Sequence, residues 1–518
     1  MKLKPFLTIK SFLLIILISS AVLAGCKKDF LSVLPQGTIT EDAAAADPNI
    51  AQKLVVGIYY RLYQGGFDAN VHGILYSFAT DVASDDADKG SNASDQAPAG
   101  LAFDQFNSDL NGNNFYVDRL WAGYYNGISA ANQALRSLNK ATFDDATKKT
   151  LTGEARFLRG YFYFNLVRLF GGVPKVLRVP ESNSDANSSD FTTRAPKDSI
   201  YAAIIEDLQY AVDNLPLKGG AGTQTGRANK GAAEALLAKV YLYKKNYQKA
   251  YDLTQDVIAS GKYDLMTDYS LNFESKKYDN NVESVFEVQT GANNDCNAAI
   301  PLYSVAMGPR VGGQGGWRDL GFGLNTPSQD LANAYEPGDV RKNASIIFIH
   351  PTLHAGQDTG TLLWDGFRVP TKDSVENERY NYKAYFGRLK DPFCIDGGTD
   401  YLPKNLKVIR FAEVLLIHAE AATQIGKTGD AVNDIIRIRQ RAGLLPVAAV
   451  TQQDVWKERR VELAMEQDRF FDIVRQGRAG MLLRAQGKQF KDGINEIYPI
   501  PQSQIDLSGG KLLQNPGY

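Results

Sequence analysis

The sequence predicts a mostly α-helical chain. A helix-turn-helix scaffold of tetratricopeptide type is interrupted by a large irregular, loop-rich region containing a few short strands. Three observations carry that expectation. Apolar residues recur at four-residue spacing through much of the N-terminal half. Two stretches, 230–261 and 414–443, each read as two helices around a tight turn. Between them the helical period fades into text rich in Gly, Asn, Asp and Pro.

Taken in order, the first strong helix start is Asp47-Pro48, an N-cap followed by proline at the first helical position. Leu54, Ile58 and Leu62 then share one face, as do Leu120, Tyr124 and Ile128 in the next helix and Leu151, Ala155 and Leu158 in another. Residues 198–214 form a further helix closed by Pro216. KGAAEALLAKVYLYKKNYQKAYDLTQDVIASG (230–261) gives one helix to about Lys244, a turn, and a second helix ending at Gly261 as its C′ residue. Ala232, Ala235, Ala238 and Ala250 sit where two helices must approach closely. VLLIHAEAATQIGKTGDAVNDIIRIRQRAG (414–443) repeats the plan, and such units stack on their neighbours to build scaffolds. The expected scaffold is 47–63, 116–261 and 405–480, within one domain over 47–518. The irregular segments are 64–115 and 262–404, with ESVFEV and SIIFIH as short strands. Long loops on a rigid scaffold are where binding usually resides.

The N-terminus reads as an export signal, residues 1–25. Lys2, Lys4 and Lys10 precede an apolar run from Phe12 to Ala24, too short for a bilayer span of about 20 residues. It stops at Leu23-Ala24-Gly25-Cys26, which resembles a bacterial lipobox. Cys26 is then the lipidated first residue of the mature chain, and 26–46 its tether. Each buried acyl methylene contributes about 0.8 kcal/mol, so two or more chains anchor a protein that spans nothing.

Composition excludes several classes. About 490 residues remain after the signal, enough for two or three ordinary domains or one large one. With 57 basic and 58 acidic residues there is no basic block to neutralise phosphates, so nucleic acid is a poor partner. Besides Cys26, only Cys296 and Cys394 are present. They are read as two buried thiols, and a pairing between them stays open.

Several motifs imitate chemistry. IGKTG (425–429) lacks the glycine a Walker A loop needs at 421, where alanine stands, so it reads as a helix-helix turn. His350 and His354 are four apart but flank Pro351, which argues against a metal-binding helix. Glu458, Glu462 and Glu466 line one helix face with Arg459, Arg460 and Arg469 interleaved, which reads as charge-paired scaffold rather than as a glycosidase pair. No catalytic residue and no cofactor are expected. Asp85, Asp86 and Asp88 do not fit an EF-hand loop and read as a solvated acidic loop, with contact to calcium or to sugar hydroxyls left open.

The candidate ligand residues are Trp317, after the glycine run 312–316, and Trp364 with Arg368 in LLWDGFR. Asp85 and Asp86 join them. A flat aromatic ring can cover the C–H face of a sugar while arginine or aspartate bonds its hydroxyls. The expected site lies where segments 64–115 and 296–400 meet above the scaffold.

In order along the chain, EARFLRGYFYFNLVRLFGGVP (154–174), KVIRFAEVLLIHAEAA (407–422), DIIRIRQRAGL (434–444), ERRVELAMEQDRFFDIVRQG (458–477), YPIPQSQID (498–506) and the terminal LLQNPGY resemble the SusD/RagB family of outer-membrane nutrient-binding lipoproteins. The resemblance implies a tetratricopeptide-like body and a less regular glycan-facing half. It implies lipid attachment at Cys26, exposure on the outer face of the outer membrane, and a SusC-like TonB-dependent transporter as partner. Its usual ligands are oligosaccharides, though some members take peptides or other nutrients. Lys27-Lys28-Asp29 resembles the short charged export signal of such lipoproteins, although it carries only one acid. The expected function is therefore non-catalytic capture of a nutrient and its delivery to a transporter. A surface glycoside hydrolase and a protein-binding repeat scaffold are the alternatives.

Overall fold

The computed structural model describes residues 40–63, 71–291, 300, 302–311, 320–351, 360–391 and 402–518. It is mostly helical. The main helices are α1 (Pro48–Tyr60), α2 (Phe115–Asn139), α3 (Asp145–Phe170), α4 (Lys197–Asn214), α5 (Lys230–Tyr243), α6 (Tyr247–Ala259), α7 (Phe411–Gln424), α8 (Thr428–Arg441), α9 (Gln452–Glu462), α10 (Arg469–Arg475) and α11 (Ala479–Ala485). Among the described residues no helix is long and apolar enough to cross a membrane.

Local chemistry sets the ends. The Asp47 carboxylate accepts from the Asn49 amide with Pro48 at the first position. Gly261 and Gly426 follow the ends of α6 and α7 with φ of +61° and +78°, a region glycine enters without a Cβ penalty. IGKTG is thus the turn between α7 and α8, as the sequence predicts. α9 starts on a capping box in which Thr451 and Asp454 exchange side-chain and backbone hydrogen bonds.

The helices stack in sequence from α1 to α6, and α7 then packs on α6 although about 150 residues separate them in the chain. One array therefore runs from the N-terminal half into the C-terminal half. Ala232, Ala235, Ala238 and Ala250 are all fully buried, so small side chains do set the α5–α6 approach. From Phe411 to Ala422 every residue of α7 is buried, as in a helix surrounded by others. Gly127 of α2 lets the Phe162 ring of α3 in: a Cβ there would lie 2.5 Å from that ring.

Strands are few and short. Four separate antiparallel pairs are described: β1 (Ala87–Gly90) with β3 (Leu324–Pro327), β2 (Ser284–Val288) with β8 (Leu406–Arg410), β4 (Ile346–Phe348) with β7 (Arg379–Asn381), and β5 (Thr361–Leu362) with β6 (Arg368–Val369). β2 and β4 fall within ESVFEV and SIIFIH, the expected strand segments.

Two expectations change. The helix Glu41–Ala46 already packs on α1 and α2, and Glu41 pairs with Arg136 and Lys140 at 3.0 and 2.6 Å, so the folded body begins before residue 47. Residues 71–87 are buried throughout and include a helical turn at Ile74–Ser77 that widens into a π-helix at Phe78–Val82. Part of the first irregular segment is core rather than loop. Its apolar residues, among them Val71, Leu75, Phe78 and Val82, join the main cluster with Leu120, Phe162 and Phe470.

Candidate functional site

The two irregular segments meet. β1 from the first pairs with β3 from the second, Ala87 opposite Pro327, Asp88 opposite Thr326 and Gly90 opposite Leu324. Beyond β1 the chain leaves the sheet as a polar loop, residues 91–98, whose tip residues Ala93, Ser94, Ala97 and Pro98 are exposed. That loop is held from three sides. The Lys89 ammonium donates to the carbonyls of Gly90, Asn92 and Asp95 at 2.9, 2.7 and 2.9 Å, so its three protons find three acceptors. Burial, and Arg310 nearby, push the Lys89 pKa down, with Asp104 opposing. From the second segment, Arg310 donates to Ser91 Oγ at 2.8 Å and pairs with Asp95, while Asn377 Oδ1 accepts from the Ser91 amide at 3.0 Å. Within the loop, Asn92 Oδ1 accepts from the Ser94 and Asp95 amides at 3.1 and 3.0 Å. The result is a half-exposed set of amide, hydroxyl and carboxylate groups, with Ser94 at the exposed tip, whose ordering precedes any ligand, which lowers the entropic cost of binding.

Beside it lies a module built on β4–β7 and β5–β6. The Glu376 amide donates to the Arg310 carbonyl at 3.1 Å, and Arg379 donates to the Pro327 carbonyl at 3.0 Å, which joins the module to the seam. Trp364 and Arg368 sit in its β5–β6 hairpin. Asp365 is buried and accepts from the Phe367 amide, the Tyr385 hydroxyl and the Leu389 amide, which fixes the turn. The Trp364 ring stands edge-on to Tyr385 at 6.4 Å, and a Cβ on Gly387 would lie 2.6 Å from it. Trp364 is therefore half-buried, largely spent on packing, with a shielded Nε1 that has no hydrogen-bond acceptor among the described residues. Arg368 is exposed and reaches the Gly360 carbonyl at 3.1 Å.

The acidic cluster differs from its expected form. Asp85 and Asp86 are 1% and 0% exposed. Arg469 donates to both Asp85 oxygens at 2.8 Å, and Arg460 donates to Asp86 at 2.7 Å. Burial opposes ionisation of Asp85, but Arg469 and Arg460 prevail and hold its pKa down at about 2. For Asp86 burial prevails and raises the pKa. These are not solvated ligand groups; they tie the first irregular segment to α9 and α10. Only Asp88, which points outward from β1, is exposed. The sequence could not separate the three, because their partners lie more than 370 residues away.

Next to this anchor in the chain, further polar groups are buried. Asp81 accepts from the Gln467 amide at 3.0 Å and from Asn325 at 3.1 Å, and burial raises its pKa to about 7. His72 is buried against Tyr161, and burial lowers its pKa to about 4.

Glu458, Glu462 and Glu466 are charge-paired scaffold, but with partners from elsewhere. Glu458 meets Arg341 and Arg439; Glu462 meets Arg341, Arg410 and Arg441; Glu466 meets Arg410 and Lys383. The in-sequence neighbours Arg459, Arg460 and Arg469 are taken by other acids. Burial works against the Glu462 charge, yet the surrounding guanidinium groups hold its pKa far below the usual range, the reverse of what a general acid needs.

Cys26, Trp317, Cys296, Cys394 and His354 lie outside the described residues. His350 is exposed. Among the described residues no group of three or more His, Cys, Asp or Glu could hold a metal ion. Arg310, Lys89 and Asn377 were not legible as site residues, since each earns its place through contacts that no local pattern announces.

A sequence profile described as SusD family matches residues 234–518, and one described as starch-binding associating with outer membrane matches 29–242. The chain is 27% identical over 461 residues to SusD-like protein P2 of Formosa agariphila, covering 82% of this chain and 85% of that one. It is 26% identical over 496 residues to a SusD-like protein of Bacteroides ovatus, covering 90% and 82%. Among solved structures, a laminarin-binding SusD-like protein superposes with a TM-score of 0.74 at 30% identity, covering 91% of this chain and 99% of that one. Surface glycan-binding protein A from Bacteroides thetaiotaomicron in complex with laminarihexaose superposes with a TM-score of 0.73 at 23% identity, again over 91% and 99%.

Proposed function

The chain belongs to the SusD family, and we propose on that premise that it is a non-catalytic, lipid-anchored receptor that captures an oligosaccharide at the cell surface and passes it to a SusC-like TonB-dependent transporter. The single observation that carries the reading is the seam of the two irregular segments, where a polar exposed loop is fixed by Lys89, Arg310 and Asn377. A neutral polyol needs many modest hydrogen bonds presented together, and a loop already ordered presents them at low entropic cost. Laminarin and laminarihexaose, bound by two structural relatives, make β-glucans the first ligands to try.

Trp317 remains a proposed ring-stacking residue on the sequence alone. Trp364 and Arg368, on the β5–β6 hairpin beside that loop, remain the proposed ring-stacking and hydroxyl-bonding residues, with Trp364 offering the free part of a half-buried ring. Asp85 and Asp86 act from below as positioning residues. The lipobox around Cys26 supports anchoring to the outer membrane. The capture of Glu458, Glu462 and Glu466 by arginines and a lysine supports the absence of hydrolysis.

The test is a glycan array on protein lacking residues 1–26, followed by calorimetry on the best binder and chromatography of the sugar after hours of incubation. Binding with the sugar intact is expected. Reproducible cleavage, lost when one acid is neutralised, would move the protein to the hydrolase class.

A further inference from the structure

Away from the seam, on helices α9 to α11, lies a second aromatic platform. Trp456 of α9, Arg478 immediately before α11 and Met481 of α11 line, with Gln453 and Lys457, an open hollow of about 340 Å³. Trp456 is half-buried, and its Nε1 is shielded from solvent without an acceptor among the described residues. The Arg478 guanidinium lies 6.0 Å from the ring centroid. Met481 keeps 61% of its surface in water, unusual for so large an apolar side chain.

Arg478 also differs from the arginines around it. Arg459, Arg460, Arg469 and Arg475 each hold at least one carboxylate. Arg478 has no ion pair or side-chain hydrogen bond among the described residues. Partial burial, with the positive charges of Arg469 and Arg460, pushes its pKa down, and Asp85 opposes this. A guanidinium in such surroundings gains from an added anion. The other charged side chain lining the hollow is also a cation: Lys457 is largely exposed and, among the described residues, pairs with Asp454 alone at 3.7 Å.

We propose that this hollow is a second saccharide subsite, selective for an acidic sugar whose ring carries a carboxylate or a sulfate ester. Trp456 covers the apolar face of the ring, Arg478 and Lys457 take the anion, and the Gln453 amide serves hydroxyls. A single ring rimmed by donors suits one sugar residue better than a peptide. The bordering helices offer no strand edge for β-addition. The inference shares only the saccharide ligand class with the proposed function. It uses none of the seam residues, so failure of a neutral glycan at the seam leaves the experiment below readable.

The experiment uses the full chain in detergent micelles. A galacturonic acid trisaccharide, a sulfated galactose trisaccharide and the neutral galactose trisaccharide are titrated by calorimetry, with a Glu-rich peptide as the competing class. At least one acidic sugar should bind about tenfold or more tighter than the neutral one, the effect of one charge-assisted hydrogen bond. Arg478→Gln should remove that preference, and Trp456→Ala should weaken the acidic sugar by about tenfold, whereas Trp456→Phe should retain most of the affinity and the melting temperature. Equal binding of acidic and neutral sugars, affinity unchanged in both Trp456→Ala and Arg478→Gln, or tighter binding of the peptide than of any sugar would each overturn the proposal.

Discussion

Between α5 and α6 the buried side chains are mostly small or apolar, among them Ala235, Leu236, Ala250, Tyr251 and Val257, whereas residues 85–95 and 302–311 are fastened by carboxylate and guanidinium groups. The two kinds of cement behave differently. Apolar interdigitation is distributed, so no one residue decides it, and volume-conserving changes are tolerated. A buried ion pair is concentrated: removing one partner leaves the other charged and dry. The α5–α6 contact can therefore vary gradually, while the irregular face depends on a few long-range pairs. The comparison teaches how a loop-rich surface keeps a fixed shape without regular secondary structure.

Four measurements break or sharpen that contrast. The largest effect is expected at Glu462, fully buried and shared by Arg341, Arg410 and Arg441. Glu462→Ala should cost about 4 kcal/mol or more in urea unfolding, since three guanidinium groups lose a common partner. A loss under about 1 kcal/mol would show that the pairs contribute little.

Asp85→Ala comes next, at about 3 kcal/mol, because it frees Arg469 from a bidentate contact. Limited proteolysis should then cut first within the loop at 91–98, the part of the segment nearest the lost anchor. First cleavage in α5–α6 would contradict the division of labour.

Trp364→Ala should cost about 2 kcal/mol, roughly half the figure for a fully buried ring. Gly387→Ala should cost about 1–2 kcal/mol alone, from the clash with that ring, and almost nothing once Trp364 is alanine. Additive losses in the double variant would mean that the two do not meet.

The last effect, of similar size to these, is a pH dependence at Asp81. Its carboxyl has an unfolded value near 3.8 and a folded value raised to about 7 by burial. The folded state thus holds a proton the unfolded state has released, so this group favours folding at low pH and that stability is lost as pH rises from about 4 to 7. Asp81→Asn should remove the loss and become relatively more stable than wild type by about 2 kcal/mol on going from pH 5 to pH 7. A difference between variant and wild type that stays flat across that window would remove Asp81 as its source.

The same contrast explains what could be read from the sequence. Helices α1 to α8 were legible because their signals are local: Asp47-Pro48, the apolar spacing through Leu120, Tyr124 and Ile128, and the glycines at 261 and 426. The meeting of the two irregular segments was legible only as a guess from what the helices left over. Its fastening was not, because Asp85 and Asp86 look like any acidic loop until Arg460 and Arg469 fold against them. The packing that half-buries Trp364 was not legible either, since nothing in LLWDGFR announces Tyr385 and Gly387.

The central claim is that ligand is received on the fastened irregular face and not on the stack. Hydrogen–deuterium exchange tests it most directly, with the best-binding oligosaccharide from a glucan panel that includes laminarihexaose. Saturating sugar should slow amide exchange across residues 89–98, 302–311 and 360–391 and leave α3 to α8 unchanged. Protection confined to α3–α8, or no protection anywhere at saturation, would contradict the account.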